Sequence, residues 1–111
     1  QMTKINKFLK KKRNLYLKYK KMFSNIDSIE IFSEPKYSRS NYWLQTLILK
    51  KPSLRLLNNI LNTLNKNGYG ARPVWQLLHN VSYLKKYPKA NLKVTENFAK
   101  RIINLPSSSF L

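Results

Sequence analysis

The chain contains no cysteine. Disulfides, thiolate nucleophiles and cysteine-ligated zinc are therefore excluded. Histidine occurs once, at His79, so nucleophile–histidine catalysis would rest on that side chain alone. Glycine occurs only at Gly68 and Gly70. Gly68-Tyr69-Gly70 is too short for a phosphate-cradling loop and is not followed by Lys-Ser or Lys-Thr. No apolar run approaches the roughly 20 residues that span a bilayer. The start has neither the apolar core nor the cleavage site of a secretory signal, so a cytoplasmic protein without a membrane partner is expected. Gln1 reads as something other than a native start.

Acids are also scarce. Four Asp and Glu stand against 22 Lys and Arg, for a net charge of +18. Such a surface fits a polyanion. However, 17 of the basic residues are lysine, beside 13 asparagines and 8 isoleucines. Those three residue types share A/T-rich codons, and dedicated nucleic-acid binders favour the planar fork of arginine. Both origins of the charge stay open. Asp27, Glu30 and Glu34 lie in one irregular stretch without metal-ligand spacing and read as surface carboxylates.

What is present suits one folded domain. The 111 residues are 42% apolar and include 14 aromatics. A chain of this length buries roughly 60–70% of its unfolded surface. Residues 3–23 predict a helix. Ile5, Phe8, Leu9, Leu15, Tyr16, Tyr19, Met22 and Phe23 form one stripe, with Thr3 as cap. Nine basic residues from Lys4 to Lys21 are assigned to the opposite face. The stripe is too long for one small domain to cover, which implies a missing domain or a partner. A short strand follows around Ile26–Phe32, ended by Pro35. Tyr42–Leu49 reads as a strand buried on both faces. Ser53 caps a second helix lined by Leu54, Leu57, Ile60, Leu61 and Leu64, and Asn67-Gly68 ends it. Ala71–Trp75 reads as a short edge strand because of Pro73. The strand–helix–strand order predicts parallel strands. A short helical or irregular segment runs from Gln76 to Lys86. A third helix is expected over 91–104, capped by Thr95, with Ile103–Pro106 as a final extended piece.

Gly68–His79 gathers both glycines, one arginine, one tryptophan and the only histidine. Arg72 suits clamping a carboxylate or phosphate, and equally stacking on Trp75. The segment has no base, nucleophile or cofactor anchor of its own. A small basic module binding RNA or DNA, with Tyr16, Tyr19, Tyr42 or Trp43 stacking bases, is the competing reading. Polyanion binding without sequence preference would follow from the charge alone.

The succession Ser40-Asn41-Tyr42-Trp43-Leu44, Gly70-Ala71-Arg72-Pro73-Val74-Trp75 with Leu78-His79, Tyr87-Pro88, and Ala99 through Ile103-Asn104-Leu105-Pro106-Ser107 resembles the C-terminal part of the DegT/StrS-type sugar aminotransferases. These are pyridoxal 5'-phosphate (PLP) enzymes of fold type I that aminate keto-sugar nucleotides. The resemblance implies an α/β (α+β) class: residues 1–25 as an interdomain helix and 26–111 as an incomplete small domain, a short sheet with helices packed on it. It implies substrate-binding roles for Arg72, His79 and Trp75, with no catalytic residue and no metal in this chain. It also implies a large PLP domain, a homodimer, glutamate as amino donor and a sugar-nucleotide substrate. The family's Schiff-base lysine, pyridine-pairing acid and ring-stacking aromatic belong to that large domain, and nothing here matches them. The family continues past the Leu-Pro motif, so this chain is expected to be an inactive fragment by itself.

Overall fold

The computed structural model describes residues 2–108 and 111. Three helices, α1 (Ile5–Met22), α2 (Leu54–Lys66) and α3 (Lys93–Ala99), accompany four strands. The strands are β1 (Ile29–Ile31), β2 (Gln45–Leu49), β3 (Arg72–Pro73) and β4 (Ile102–Leu105), in the sheet order β1-β2-β4-β3. Every neighbouring pair is antiparallel. Since β2 and β3 both run against β4, they are parallel to each other, as the strand–helix–strand order predicts. The last strand in sequence has slipped between them.

The alternation along β2 and β4 explains the layers. Leu47 and Leu49 share a face with Ile103 and Leu105, and these join Ile31, Ala71, Leu57 and Leu61 in the core. Tyr16 enters the same core from α1, flanked by Tyr19 and Phe23. Thus α1 and α2 cover one face. On the other face Ile48 is 4% exposed and opposite Ile102. Ile102, Val74, Leu77, Val94, Phe98 and Ala99 bound an apolar cleft there. Arg101 fixes α3 beside the sheet, with Nε donating to the Leu49 carbonyl at 2.6 Å and the guanidinium 5.0 Å from the Phe98 ring centre.

Several expected boundaries shift, each for a local reason. Thr3 does not cap α1; it lies inside a 3-10 turn over Met2–Lys4, and Lys4 holds the cap position without a side-chain bond. Strand β2 starts at Gln45 rather than Tyr42, because Tyr42 has φ 47°. That left-handed backbone costs about 1–2 kcal/mol in a residue with a Cβ. It is held by the Ser40 Oγ, which accepts from Tyr42 N, and by stacking on Tyr16 at 4.2 Å. The third helix stops at Ala99, so Ile102 and Ile103 are strand rather than helix residues. Thr95 sits within that helix; Asn91 Oδ1 accepts from Lys93 N instead. Strand β3 is only two residues long. Ser53 does cap α2, accepting from Leu56 N. Gly68 ends that helix at φ 81°, its N–H bonded to Asn65 O and that of Tyr69 to Leu64 O, the Schellman pattern.

The basic face of α1 also differs from expectation. Lys12 and Arg13 turn toward the domain while Lys4, Lys7, Lys10 and Lys18 stay exposed. Arg13 grips Glu34 at 2.6 and 3.1 Å and also donates to the Ser40 carbonyl. Glu34 is therefore a paired, half-buried anchor, whereas Asp27 and Glu30 are exposed. The Arg13 guanidinium and the Ser40 N–H hold the Glu34 carboxyl well below its ordinary range, at about 2.

The front half of α1 stands clear of the core. Met2, Ile5 and Leu9 are 81%, 44% and 37% exposed, although they continue the stripe of Tyr16 and Phe23. The radius of gyration, 16.0 Å, exceeds the about 13 Å of a compact chain this long. The uncovered stripe is the physical form of the overlong pattern seen in the sequence.

Candidate functional site

Arg72 begins β3 directly after a stapled residue. Asn65, in the last turn of α2, donates from Nδ2 to the Ala71 carbonyl at 3.0 Å and accepts from the Ala71 N–H at 3.1 Å. The amide imitates a neighbouring strand, and Ala71 is 3% exposed. The chain then continues as β3 against β4, where Arg72 lies opposite Asn104 and the Asn104 amide donates to the Pro73 carbonyl. This backbone is pinned on both sides while the Arg72 and Trp75 side chains stay in the open, Trp75 at 74% exposure. Gly70 needs no special backbone, and a Cβ there would meet nothing within 4 Å.

Two clefts flank Trp75. One, of about 280 Å³, lies between Gly70, Arg72, Pro73 and Trp75 on one side and Leu44 and Asn104–Ser107 on the other. The second, of about 630 Å³, is lined by Trp75, Leu77, His79, Leu84, Tyr87, Pro88 and Leu92 among others. Arg72 and His79 therefore line different clefts, and Trp75 is the partition between them.

His79 sits in a 3-10 turn, Leu78–Asn80, and its side chain is 10% exposed. Its Nε2 is 3.0 Å from Glu96 Oε1 on α3. That contact occupies one ring nitrogen and fixes the ring plane, leaving Nδ1 as its remaining polar atom. Chemically, the first cleft offers a cation beside an indole, suited to an anionic group carried on a planar or apolar body. The second is a mainly apolar trough with one imidazole.

Neither cleft is lined by an acid that could pair with a pyridine nitrogen, and the lysine lining the second is the exposed Lys89. These residues do not build a PLP site. Among the described residues, no three His, Asp or Glu side chains gather to hold a metal ion.

The profile of the DegT/DnrJ/EryC1/StrS aminotransferase family matches residues 1–111. The chain belongs to that family. Solved structures agree on the fold. The aminotransferase TlmJ from Streptoalloteichus hindustanus superposes with a TM-score of 0.86 at 19% identity, over 100% of this chain and 29% of its own. Helicobacter pylori PseC, an aminotransferase involved in the biosynthesis of pseudoaminic acid, gives 0.85 at 21%, over 98% and 30%. E. coli GDP-4-keto-6-deoxy-D-mannose-3-dehydratase, solved with bound hydrated PLP, gives 0.80 at 20%, over 98% and 29%. The chain spans under a third of the length of each of these proteins. No curated protein matches it. The α/β arrangement with an antiparallel sheet agrees with these structures.

Sequence reasoning selected Arg72, Trp75 and His79 but missed the residues that place them. Asn65, through Ala71, and Glu96, through His79, do that work. Glu96 stands in the first turn of α3, and its pairing with His79 comes from the fold. Gln45 carried a signal, since it is the lone amide in an apolar run and its side chain is fully buried. Asn65 carried none, being one of 13 asparagines.

Proposed function

We propose that this chain is the small domain of a PLP-dependent enzyme that moves an amino group from glutamate to a keto-sugar nucleotide during surface-glycan synthesis. Residues 1–25 lead in from a large domain and 26–111 form the small one. The observation that carries this reading is the family match over the whole chain. The uncovered Met2, Ile5 and Leu9 support it, since they require a cover. The intact protein is a cytoplasmic homodimer in this reading. PLP, when bound, supplies the electron sink for amino transfer, and its holding residues lie outside this chain.

Within the site, Arg72 binds an anionic group of the sugar nucleotide and Trp75 provides a flat apolar wall beside it. His79, fixed by Glu96, orients the sugar from the neighbouring cleft. Their task is positioning and exclusion of water. The test is to express the chain with its upstream coding region, then look for PLP absorbance and amination of keto-sugar nucleotides with glutamate as donor. A cofactor-free protein refutes the reading; dehydration of the sugar in place of amination replaces its reaction type. Losing a charge-assisted contact costs about 1.5–3 kcal/mol. Arg72→Ala is thus expected to raise KM for the sugar nucleotide roughly 10–100-fold.

A further inference from the structure

The Arg72 cleft has a far side made by Leu44 and by Asn104–Ser107. Much of that side lies outside the sheet, since β2 begins at Gln45 and β4 ends at Leu105. Helix α1 holds it. Lys12 Nζ donates to the Trp43 carbonyl at 3.2 Å and to the Ser107 carbonyl. Two turns further on, Tyr19 Oη donates to the Pro106 carbonyl at 2.9 Å. Gln45 returns the connection, its Nε2 donating to the Lys12 carbonyl at 3.1 Å and to that of Tyr42 at 3.3 Å. Two segments some sixty residues apart are thus stitched to one helix at the rim of one cleft.

Lys12 is the member of this group that touches both segments. An ammonium has three donors on a flexible stem, so it can serve two carbonyls that approach from different directions. The charge strengthens both bonds. Burial lowers the pKa of this lysine, as expected for a cation drawn partly out of water.

We propose that Lys12 is a positioning residue for the Arg72 cleft: by tying the Trp43 and Ser107 carbonyls together it sets how far Leu44 and Pro106 stand from Arg72 and Trp75. What enters the cleft rests on the proposed function; the positioning itself does not. Without the tie, the 43–44 and 106–107 segments move apart, and a ligand seated between them loses one wall. Arginine at this position keeps a charged, multiply donating head, whereas methionine keeps the stem and loses every donor.

The test uses the full-length protein labelled with 5-fluorotryptophan, with the Trp75 resonance assigned by Trp75→Phe. In Lys12→Met the Trp75 signal shifts, and in Lys12→Arg it returns toward wild type. The KM for the keto-sugar nucleotide rises about tenfold in Lys12→Met, equivalent to about 1.4 kcal/mol, while kcat and cofactor absorbance hold. A Trp75 signal unmoved in folded Lys12→Met overturns the proposal whatever the enzyme activity. So does a parallel loss of kcat and cofactor, the mark of a merely structural lysine. A shifted signal in a protein that binds no PLP and aminates nothing upholds the positioning role and refutes the aminotransferase reading. If Lys12→Met does not fold, Lys12→Gln, with one neutral donor, carries the same measurement.

Discussion

Replacing Asn65 by alanine removes both bonds that hold Ala71 in line with the sheet. The two losses are unequal. The Ala71 N–H keeps a second acceptor, the Tyr69 carbonyl at 2.7 Å, so its share is the net value of one hydrogen bond, about 0.5–1.5 kcal/mol. The Ala71 carbonyl loses its side-chain donor in a residue only 3% exposed, and an unsatisfied buried acceptor costs about 1–3 kcal/mol. Against these, alanine favours the helix over asparagine by about 0.5 kcal/mol. The balance is a loss of about 2 kcal/mol, or roughly 30-fold in the folding equilibrium. Urea unfolding followed by tryptophan fluorescence reads the global loss. Amide exchange at Arg72 reads the local one, which should exceed that at Leu47 in the middle of β2. Asn65→Asp keeps an acceptor for the N–H but sets a carboxylate against the Ala71 carbonyl, so it should be no more stable than Asn65→Ala. A loss under about 0.5 kcal/mol, or exchange unchanged at Arg72, would show that β4 alone holds this strand and that the strand mimicry by Asn65 is incidental.

Two further perturbations follow from the structure. The native pKa of Glu34, about 2, lies below its ordinary 4.5, so its contribution to stability is complete above pH 4.5 and disappears as the pH falls toward 2. Wild type should lose Tm across that window more steeply than Glu34→Gln, and parallel thermal curves would contradict the Arg13–Glu34 anchor. Ile103 is fully buried at the centre of β4, opposite Leu47 on one side and Pro73 on the other. Ile103→Ala should destabilise by about 2–5 kcal/mol and Ile103→Val by about 0.5–1.5 kcal/mol, measured by urea unfolding.

The sequence made the helices legible because their signals are local. Ser53 and Gly68 bracket α2 with a cap and a left-handed turn, both of which the backbone uses. The near-continuous apolar run to Leu49 marked a strand covered on both sides, as β2 is. Boundaries failed where a distant partner decided them. Tyr42 looks like a strand residue until Tyr16 and Arg13, from another helix, hold it at positive φ. Ile102 and Ile103 fit a helical stripe equally well; pairing with β2 settles them as strand. Lys12 and Arg13 look like the other cations of α1, and only the three-dimensional arrangement turns them inward. The order of motifs pointed to the family and so to Arg72, Trp75 and His79. It gave no sign that Arg72 and His79 open onto separate clefts, since that division depends on where one indole stands.

The placement of β4 has a consequence for how the molecule is made. Synthesis runs from the N-terminal side, and the strand that joins β2 to β3 is the last of the four to emerge. Until it does, β1 and β2 form a narrow ribbon whose apolar edge has open N–H and C=O groups, and β3 has no neighbour in the sheet. Pairing across so long a separation is slow, and an open apolar edge invites other nascent chains. Variants that weaken β4 should therefore fail first in yield, as aggregate collected during expression, before any failure is seen in the purified, folded protein.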